Sequence, residues 1–125
     1  RLFDRIFDNH VMGQMQEVVN DAIRGPGGHM PSIVDGAKAK LDIIYGWLDK
    51  ELAGGGWATP HGFTLADCAA APSLFYADWV HPIPGTYENL RAYRARLLAH
   101  PSVARAVDGG RPYRHYFPLG APDRD

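Results

Sequence analysis

Phe63–Thr64–Leu65–Ala66–Asp67–Cys68 is the stretch that decides the fold, because it predicts where a buried helix begins. With Thr64 as the N-cap residue, its hydroxyl can accept a hydrogen bond from the Asp67 N–H, and the Asp67 carboxylate can accept one from the Thr64 N–H. The carboxylate also lies at the positive end of the helix dipole. Phe63, just before the cap, is placed to pack on Cys68 as a hydrophobic staple. The pattern therefore predicts a firmly capped helix that begins after Thr64.

The residues that follow this cap are apolar on every side of the predicted helix. They are Leu65, Ala66, Ala69, Ala70 and Ala71. A helix that is apolar all round is expected to be buried, and its small side chains let neighbouring helices come close. Pro72 lies inside the helix, where it removes one backbone hydrogen bond, so we expect a bend near Cys68. The segment His81–Gly85, which contains two prolines, ends the helix.

Helical periodicity also dominates the rest of the chain. Two long helices are predicted before the cap, about Leu2 to Ile23 and Ser32 to Leu52, and the second begins with a capping box of Ser32 and Asp35. Two shorter helices are predicted after it, about Tyr87 to Ala99 and Val103 to Asp108. We therefore expect a single all-α domain over residues 1–125, a bundle of about five helices. Its extended tail, residues 110–125, carries aromatic residues that should pack back on the body.

Composition and charge exclude several classes of protein. The apolar fraction of 46% and the charged fraction of 22% are ordinary for a globular protein, which argues against disorder. The net charge of −1 argues against a nucleic-acid partner held by phosphate contacts. No apolar run is long enough to cross a bilayer, so no membrane partner is expected. The single cysteine, Cys68, cannot form an internal disulfide, which fits a cytoplasmic protein.

Positive charge is concentrated near the end of the chain. The residues concerned are Arg91, Arg94, Arg96, Arg105, Arg111 and Arg114, interrupted only by Asp108. One interpretation is a solvated helix face followed by a basic tail. The other is a basic rim that attracts an anionic ligand or an acidic surface. The sequence leaves both open.

Taken together, these segments resemble the C-terminal helical domain of the glutathione S-transferase superfamily over essentially the whole chain. The stretch Phe63–Cys68 matches the capping box and staple of that family, and Leu97–Ala106 (LLAHPSVARA) matches a second family segment. The stretch Asp4–Met12 is similar to the first helix of bacterial members. The resemblance implies the same helical fold.

The resemblance also implies what this chain does not contain. A complete glutathione transferase has an N-terminal thioredoxin-like domain that binds glutathione and carries the Ser, Tyr or Cys that activates or replaces its thiolate. This sequence has neither a βαβ pattern nor a C-x-x-C motif. We therefore expect no catalytic residue here and no cofactor bound by this chain alone, with glutathione as the co-substrate of the complete protein.

In the family, the hydrophobic electrophile binds between the two domains, against the first helix of this domain and often its tail. The resemblance therefore implies substrate-binding residues at Phe7, His10, Gln14, Tyr113, Tyr116 and Phe117. Apolar and aromatic walls would exclude water from the electrophile, and a few polar groups would orient it. A structural interpretation stays open, in which Phe7 belongs to the core and His10 is a polar residue at its edge.

Other chemistry is not expected of this sequence. The six histidines are scattered, without an H-x-x-x-H pair or a cysteine cluster, so no metal site is predicted. Cys68 lies near a helix N-terminus, which favours a thiolate, but the staple would turn it to the interior and Asp67 adds an opposing charge. We expect Cys68 to pack inertly. Phe63, Thr64 and Asp67 are likewise expected to stabilise the fold.

Two functions are consistent with the family resemblance and the expected site residues. In the first, the parent protein is a cytoplasmic, homodimeric detoxification enzyme that conjugates glutathione to a hydrophobic electrophile, or reduces or isomerises one. This domain would supply the electrophile-binding wall and part of the dimer interface through its first two helices. In the alternative, the domain is a non-catalytic interaction or scaffold module, as in some translation and stress-response proteins. A helical bundle with a ligand of its own is a third possibility.

Overall fold

The computed structural model describes residues 2–125, and Arg1 lies outside the described residues. Within that range the chain forms five helices and no strand, which confirms the all-α prediction. Helix α1 consists of three consecutive segments, Leu2–Arg5, Ile6–Met12 and Gly13–Arg24. The other helices are α2 (Pro31–Glu51), α3 (Leu65–Val80), α4 (Glu88–Ala99) and α5 (Pro101–Gly110), followed by a 3₁₀ helix at Arg111–Tyr116.

The middle segment of α1 is wider than an α-helix. Residues Ile6–Met12 form a π-helix, and the Gly13 N–H donates to the Asp8 carbonyl, five residues back. A π-turn holds more residues than an α-turn, so the residues after it are rotated relative to an α-helical register. The sequence predicted the extent of α1 within a residue but not this segment.

The start of α2 differs from the prediction. The N-cap residue is Met30 and Pro31 is the first helical residue, so Ser32 lies inside the helix and makes no cap with Asp35. The carboxylate of Asp21, near the end of α1, takes over this role, because its Oδ1 accepts the Met30 N–H and its Oδ2 lies 3.1 Å from His29 Nδ1. The hydrogen bond from Met30 is the largest of several effects that lower the pKa of Asp21.

The predicted capping box at α3 is confirmed. The Thr64 N–H donates to Asp67 Oδ2 at 2.9 Å, and the reciprocal pairing of the Asp67 N–H with the Thr64 side chain is present. The other carboxylate oxygen, Oδ1, accepts the Ala58 N–H at 2.9 Å and the Tyr93 hydroxyl at 2.5 Å. Burial, together with the Asp67 carboxylate, raises the pKa of Tyr93, so the phenol stays a donor. Asp67 is fully buried and joins the start of α3 to α4.

The predicted staple is wrong in one respect, because Cys68 is exposed. The inward face of α3 is set by Asp67, Ala70 and Leu74, so Cys68 falls on the outer face with Pro72 and Tyr76. Phe63 instead stacks on the His100 ring, with 3.8 Å between centroids. The expectation that α3 is buried on every side is also wrong, because its outer face is exposed and its first residue, Leu65, is 79% exposed.

The core lies where α1, α2, α3 and α4 meet. Its largest fully buried side chains include Tyr45, Tyr93, Phe7, Leu41, Leu48, Leu74, Leu90 and Leu97. Tyr45 donates its hydroxyl to the His81 carbonyl at 2.8 Å, which ties α2 to the end of α3. Asp49 of α2 accepts the Leu90 N–H at 2.9 Å, which fixes the start of α4. None of the helices in residues 2–125 has the length and apolar character needed to cross a membrane.

The end of the chain is more helical than predicted. Pro101 is the first residue of α5, and His100 Nδ1 accepts the Ser102 N–H at 3.2 Å as an N-cap. The segment predicted as an extended tail continues as helix to Gly110 and as a 3₁₀ helix to Tyr116, and only the residues from Phe117 onward are irregular. The tail does pack back on the body through Phe117, whose ring lies 5.8 Å from that of Tyr76.

Candidate ligand-binding groove

An open, largely apolar groove of about 700 Å³ lies between α1, α3, α5 and the tail. Helix α1 contributes Met12, Met15 and Val19 to its wall, and α5 contributes Val103, Ala106 and Val107. Aromatic side chains from α3 and the tail form much of the rest: Phe75, Tyr76, Trp79, Tyr113, Tyr116 and Phe117. A concave apolar site with a few polar groups is the usual form of a small-molecule site.

The structure brings half of the predicted substrate-binding residues to this groove. Tyr113, Tyr116 and Phe117 line its wall. Phe7 does not, because it is fully buried in the core, with its ring 6.1 Å from that of Phe3 and 6.3 Å from that of Tyr93. His10 is exposed and Gln14 is half-buried, and neither lines the groove.

The π-helical segment explains why α1 presents other residues. In an α-helix, Phe7, His10 and Gln14 would share one face, since they are three and four residues apart. The wide turns between Ile6 and Met12 rotate the later residues, so Met12, Met15 and Val19 face the groove instead. Nothing in the local residue pattern indicated the π-segment.

Sequence reasoning also missed the contribution of α3. Cys68, Pro72 and Tyr76 follow one another at four-residue steps along its outer face and line the groove. The signal was present, because a helix that is apolar on every side needs a second partner for its outer face. A large exposed apolar surface of this kind often marks a ligand or protein contact.

The tail is held against the groove by charge as well as by aromatic packing. Arg124 donates to Asp78 Oδ2 at 2.5 Å and to the Asp78 carbonyl at 2.9 Å. Asp125 accepts two hydrogen bonds from Arg111, at 2.9 and 2.8 Å, and one from Arg114 at 2.5 Å. The Arg114 guanidinium in turn lies 5.1 Å from the centroid of Trp79, a cation–π contact. These contacts fix the position of the tail wall.

The basic residues of the sequence are mostly engaged in such internal contacts. Arg94 is buried and donates to the carbonyls of Leu74 and Phe75, both at 3.2 Å. Burial lowers the pKa of Arg94, and the Asp78 carboxylate, 3.7 Å away, opposes that effect. Asp78 is itself buried and accepts the Ile83 N–H at 2.7 Å. Arg94 is therefore structural, contrary to both interpretations made from the sequence.

The groove does not contain the elements of a metal centre. Within residues 2–125, no three side chains of His, Cys, Asp or Glu lie together in a way that could hold a metal ion. Cys68 is the one thiol of the chain, and it lies on the groove wall rather than in the interior. What the groove offers is an apolar, aromatic surface with a small number of polar tips.

Comparison with known proteins gives the family. The family model described as glutathione S-transferase, C-terminal domain, matches residues 27–96, more than half of the chain. No curated protein and no solved structure matches the chain. The matched range runs from the start of α2 through α3 and into α4, and it contains the confirmed capping box of Thr64 and Asp67. The chain therefore belongs to the family of glutathione S-transferase C-terminal domains.

Proposed function

We propose that this chain is the helical part of a cytoplasmic glutathione S-transferase and that its groove forms the wall against which a hydrophobic electrophile binds. Glutathione conjugation, or glutathione-dependent reduction, would take place at the open side of the groove. The chain's contribution is to exclude water and to hold the electrophile close to the glutathione thiolate.

The observation that carries this proposal is the outer face of α3. Its residues Cys68, Pro72 and Tyr76 are exposed to solvent and line an open, largely apolar groove. That groove is bounded by the first helix and the tail, the two elements against which the family binds its electrophile. An exposed apolar surface of this kind often marks a ligand or protein contact.

The groove itself does not suit glutathione. The tripeptide carries two carboxylates and an ammonium group, whereas the wall described in residues 2–125 has Arg114 as its one charged residue. Glutathione would therefore bind outside this chain, and the electrophile would bind in the groove. The polar side chains of the wall that are able to orient it include the Ser102, Tyr113 and Tyr116 hydroxyls and the Gln16 amide.

The test uses the full-length product of the gene, glutathione resin and an aryl halide substrate. We expect retention on the resin and turnover. Ala106→Trp, which fills the groove, should raise the KM for the aryl halide severalfold and leave the KM for glutathione unchanged. Ala95→Trp, an equal change at an exposed position of α4 away from the groove, should change neither. Absence of both retention and turnover would overturn the enzyme proposal and favour the scaffold alternative.

We also propose that the protein is a homodimer that associates through α1 and α2. Exposed apolar side chains near the end of α1 and the start of α2 support this proposal: Ile23, Met30 and Ile33. Sedimentation velocity should show a dimer that Ile33→Asp converts to monomer. Leu119→Asp, the same kind of change at an exposed residue of the tail, is the control and should leave the dimer intact. A wild-type chain that is monomeric at every concentration would contradict the proposal.

A further inference from the structure

Pro72 leaves one backbone carbonyl of α3 without its regular hydrogen-bond donor. This proline lies inside the helix, well away from both of its ends. In an α-helix the N–H of residue 72 would donate to the Cys68 carbonyl, but proline has no N–H. The N–H groups at positions 71 and 73 have regular helical acceptors of their own. The Cys68 carbonyl is therefore the acceptor that the helix leaves over.

The side chain next to Pro72 does not replace the missing donor. Ser73 is the polar residue directly beside the proline, and its hydroxyl donates to the Ala69 carbonyl at 2.6 Å. That bond satisfies the carbonyl one position further along the helix. The Cys68 carbonyl gains nothing from it.

The Cys68 carbonyl lies on the groove side of α3. A helical carbonyl points along the axis toward the residue four positions on, so this one lies between Cys68 and Pro72. Both residues are exposed to solvent, and both line the groove together with Ala71. The proline ring also crowds the carbonyl four residues back, which bends the helix at this point. The apolar wall therefore contains a backbone acceptor that its side chains do not reveal.

An acceptor of this kind discriminates between ligands of the same shape. While the groove is open, water can donate to the Cys68 carbonyl. A hydrophobic ligand without a donor would displace that water and leave the carbonyl covered and unpaired, which lowers its affinity. A ligand with an O–H or N–H group at this position replaces the water and avoids the loss.

We propose that the groove prefers an apolar molecule that carries a neutral hydrogen-bond donor, and that the Cys68 carbonyl accepts the hydrogen bond from this donor. A neutral donor is favoured over an ammonium group because Arg114, the one charged residue of the described wall, repels a cation. This inference rests on the proposed function, since it assumes that the groove binds a hydrophobic molecule. It adds the chemical class of that molecule and assigns Pro72 as the residue that determines the preference.

The test compares the binding of 1-naphthol and 1-methoxynaphthalene to the 125-residue chain by isothermal titration calorimetry. Both molecules have the same aromatic skeleton and an oxygen that can accept a hydrogen bond, but only 1-naphthol can donate one. We expect the wild type to bind 1-naphthol about tenfold more tightly. Pro72→Ala restores an N–H that donates to the Cys68 carbonyl within the helix, so this preference should fall severalfold.

Pro118→Ala is the matched control. It removes a proline from the groove wall at a turn, where no helical hydrogen bond is restored, so it should change both Kd values by the same factor. Alanine is a better helix former than proline, so Pro72→Ala should also raise the melting temperature, which shows that this variant is folded. In the wild type, the ¹³C signal of the Cys68 carbonyl should shift with 1-naphthol beyond its response to 1-methoxynaphthalene.

Failure of this inference and failure of the proposed function give different results. If the wild type binds both molecules equally, or if Pro72→Ala keeps the full preference for 1-naphthol, the inference is wrong and the groove remains a hydrophobic site. An equal response of the Cys68 carbonyl signal to both molecules would also overturn the inference. If neither molecule binds, the groove proposal itself fails.

Discussion

At the scale of single residues, Asp67 shows which of its contacts a local sequence pattern predicts and which it does not. The spacing of Thr64 and Asp67 predicted a capping box, and the box forms. The same carboxylate also accepts the Tyr93 hydroxyl and the Ala58 N–H, which the pattern did not indicate. Those partners are 26 and 9 residues away in the chain, so only the folded structure brings them together. A capping pattern therefore predicts the contacts among its own four residues and no contact with the rest of the chain.

Asp67→Ala should therefore cost more stability than the loss of an ordinary cap. Three donors would lose their acceptor, and the Tyr93 hydroxyl is buried where water cannot replace it. We expect the free energy of unfolding in urea to fall by about 3 kcal/mol. Asp123→Ala, at an exposed residue of the tail, is the matched control and should leave the transition unchanged. An unaltered urea midpoint for Asp67→Ala would refute the role of Asp67 in both contacts.

At the scale of helices, the sequence predicted which segments are helical better than it predicted where a helix begins or which residues share a helix face. Periodicity located α1, α2 and α4, because an amphipathic stripe extends over many residues and tolerates local exceptions, and the capping box located α3. The start of α2 was misread because its cap is Asp21, which reaches Met30 across the Gly25–Gly28 turn. The register of α1 was misread because the residue pattern of Ile6–Met12 carries no signal for a π-segment. Neither feature is visible in the hydrophobic periodicity.

The cap of α2 has a pH dependence that can be measured. The pKa of Asp21 is lowered from 3.8 in the folded chain, so its stabilisation is complete above that value and is lost as the pH falls below it. Asp21→Asn keeps an acceptor for the Met30 N–H but cannot ionise. We expect its melting temperature to lie below that of the wild type at about pH 7 and the gap to narrow steadily as the pH falls below about 4. Asp35→Asn, at an exposed residue of α2, should show no such convergence. A gap that stays constant with pH would contradict the assignment of Asp21 as the cap.

At the scale of the whole molecule, the fold was predictable from sequence and the site only in part. The tail aromatics Tyr113, Tyr116 and Phe117 reach the groove as expected, because the tail folds back on α3. The residues expected from α1 do not, because Phe7 lies in the core and the π-segment rotates the register of the residues that follow it. The outer face of α3 was assigned to the core, because the sequence shows that the helix is apolar on every side but does not show what covers each side. A site built from the face that the core leaves uncovered is visible only in the folded chain.

We propose above that this groove, and not the face of α1 with His10 and Gln14, binds a hydrophobic molecule. The most direct measurement is a titration of the ¹⁵N-labelled chain with N-phenyl-1-naphthylamine, followed by amide and indole NMR signals. We expect shifts at Met15, Val19 and Ala106 and at the Trp79 indole, all of which belong to groove-lining residues. Shifts confined to His10 and Gln14, with the groove signals unmoved, would contradict it.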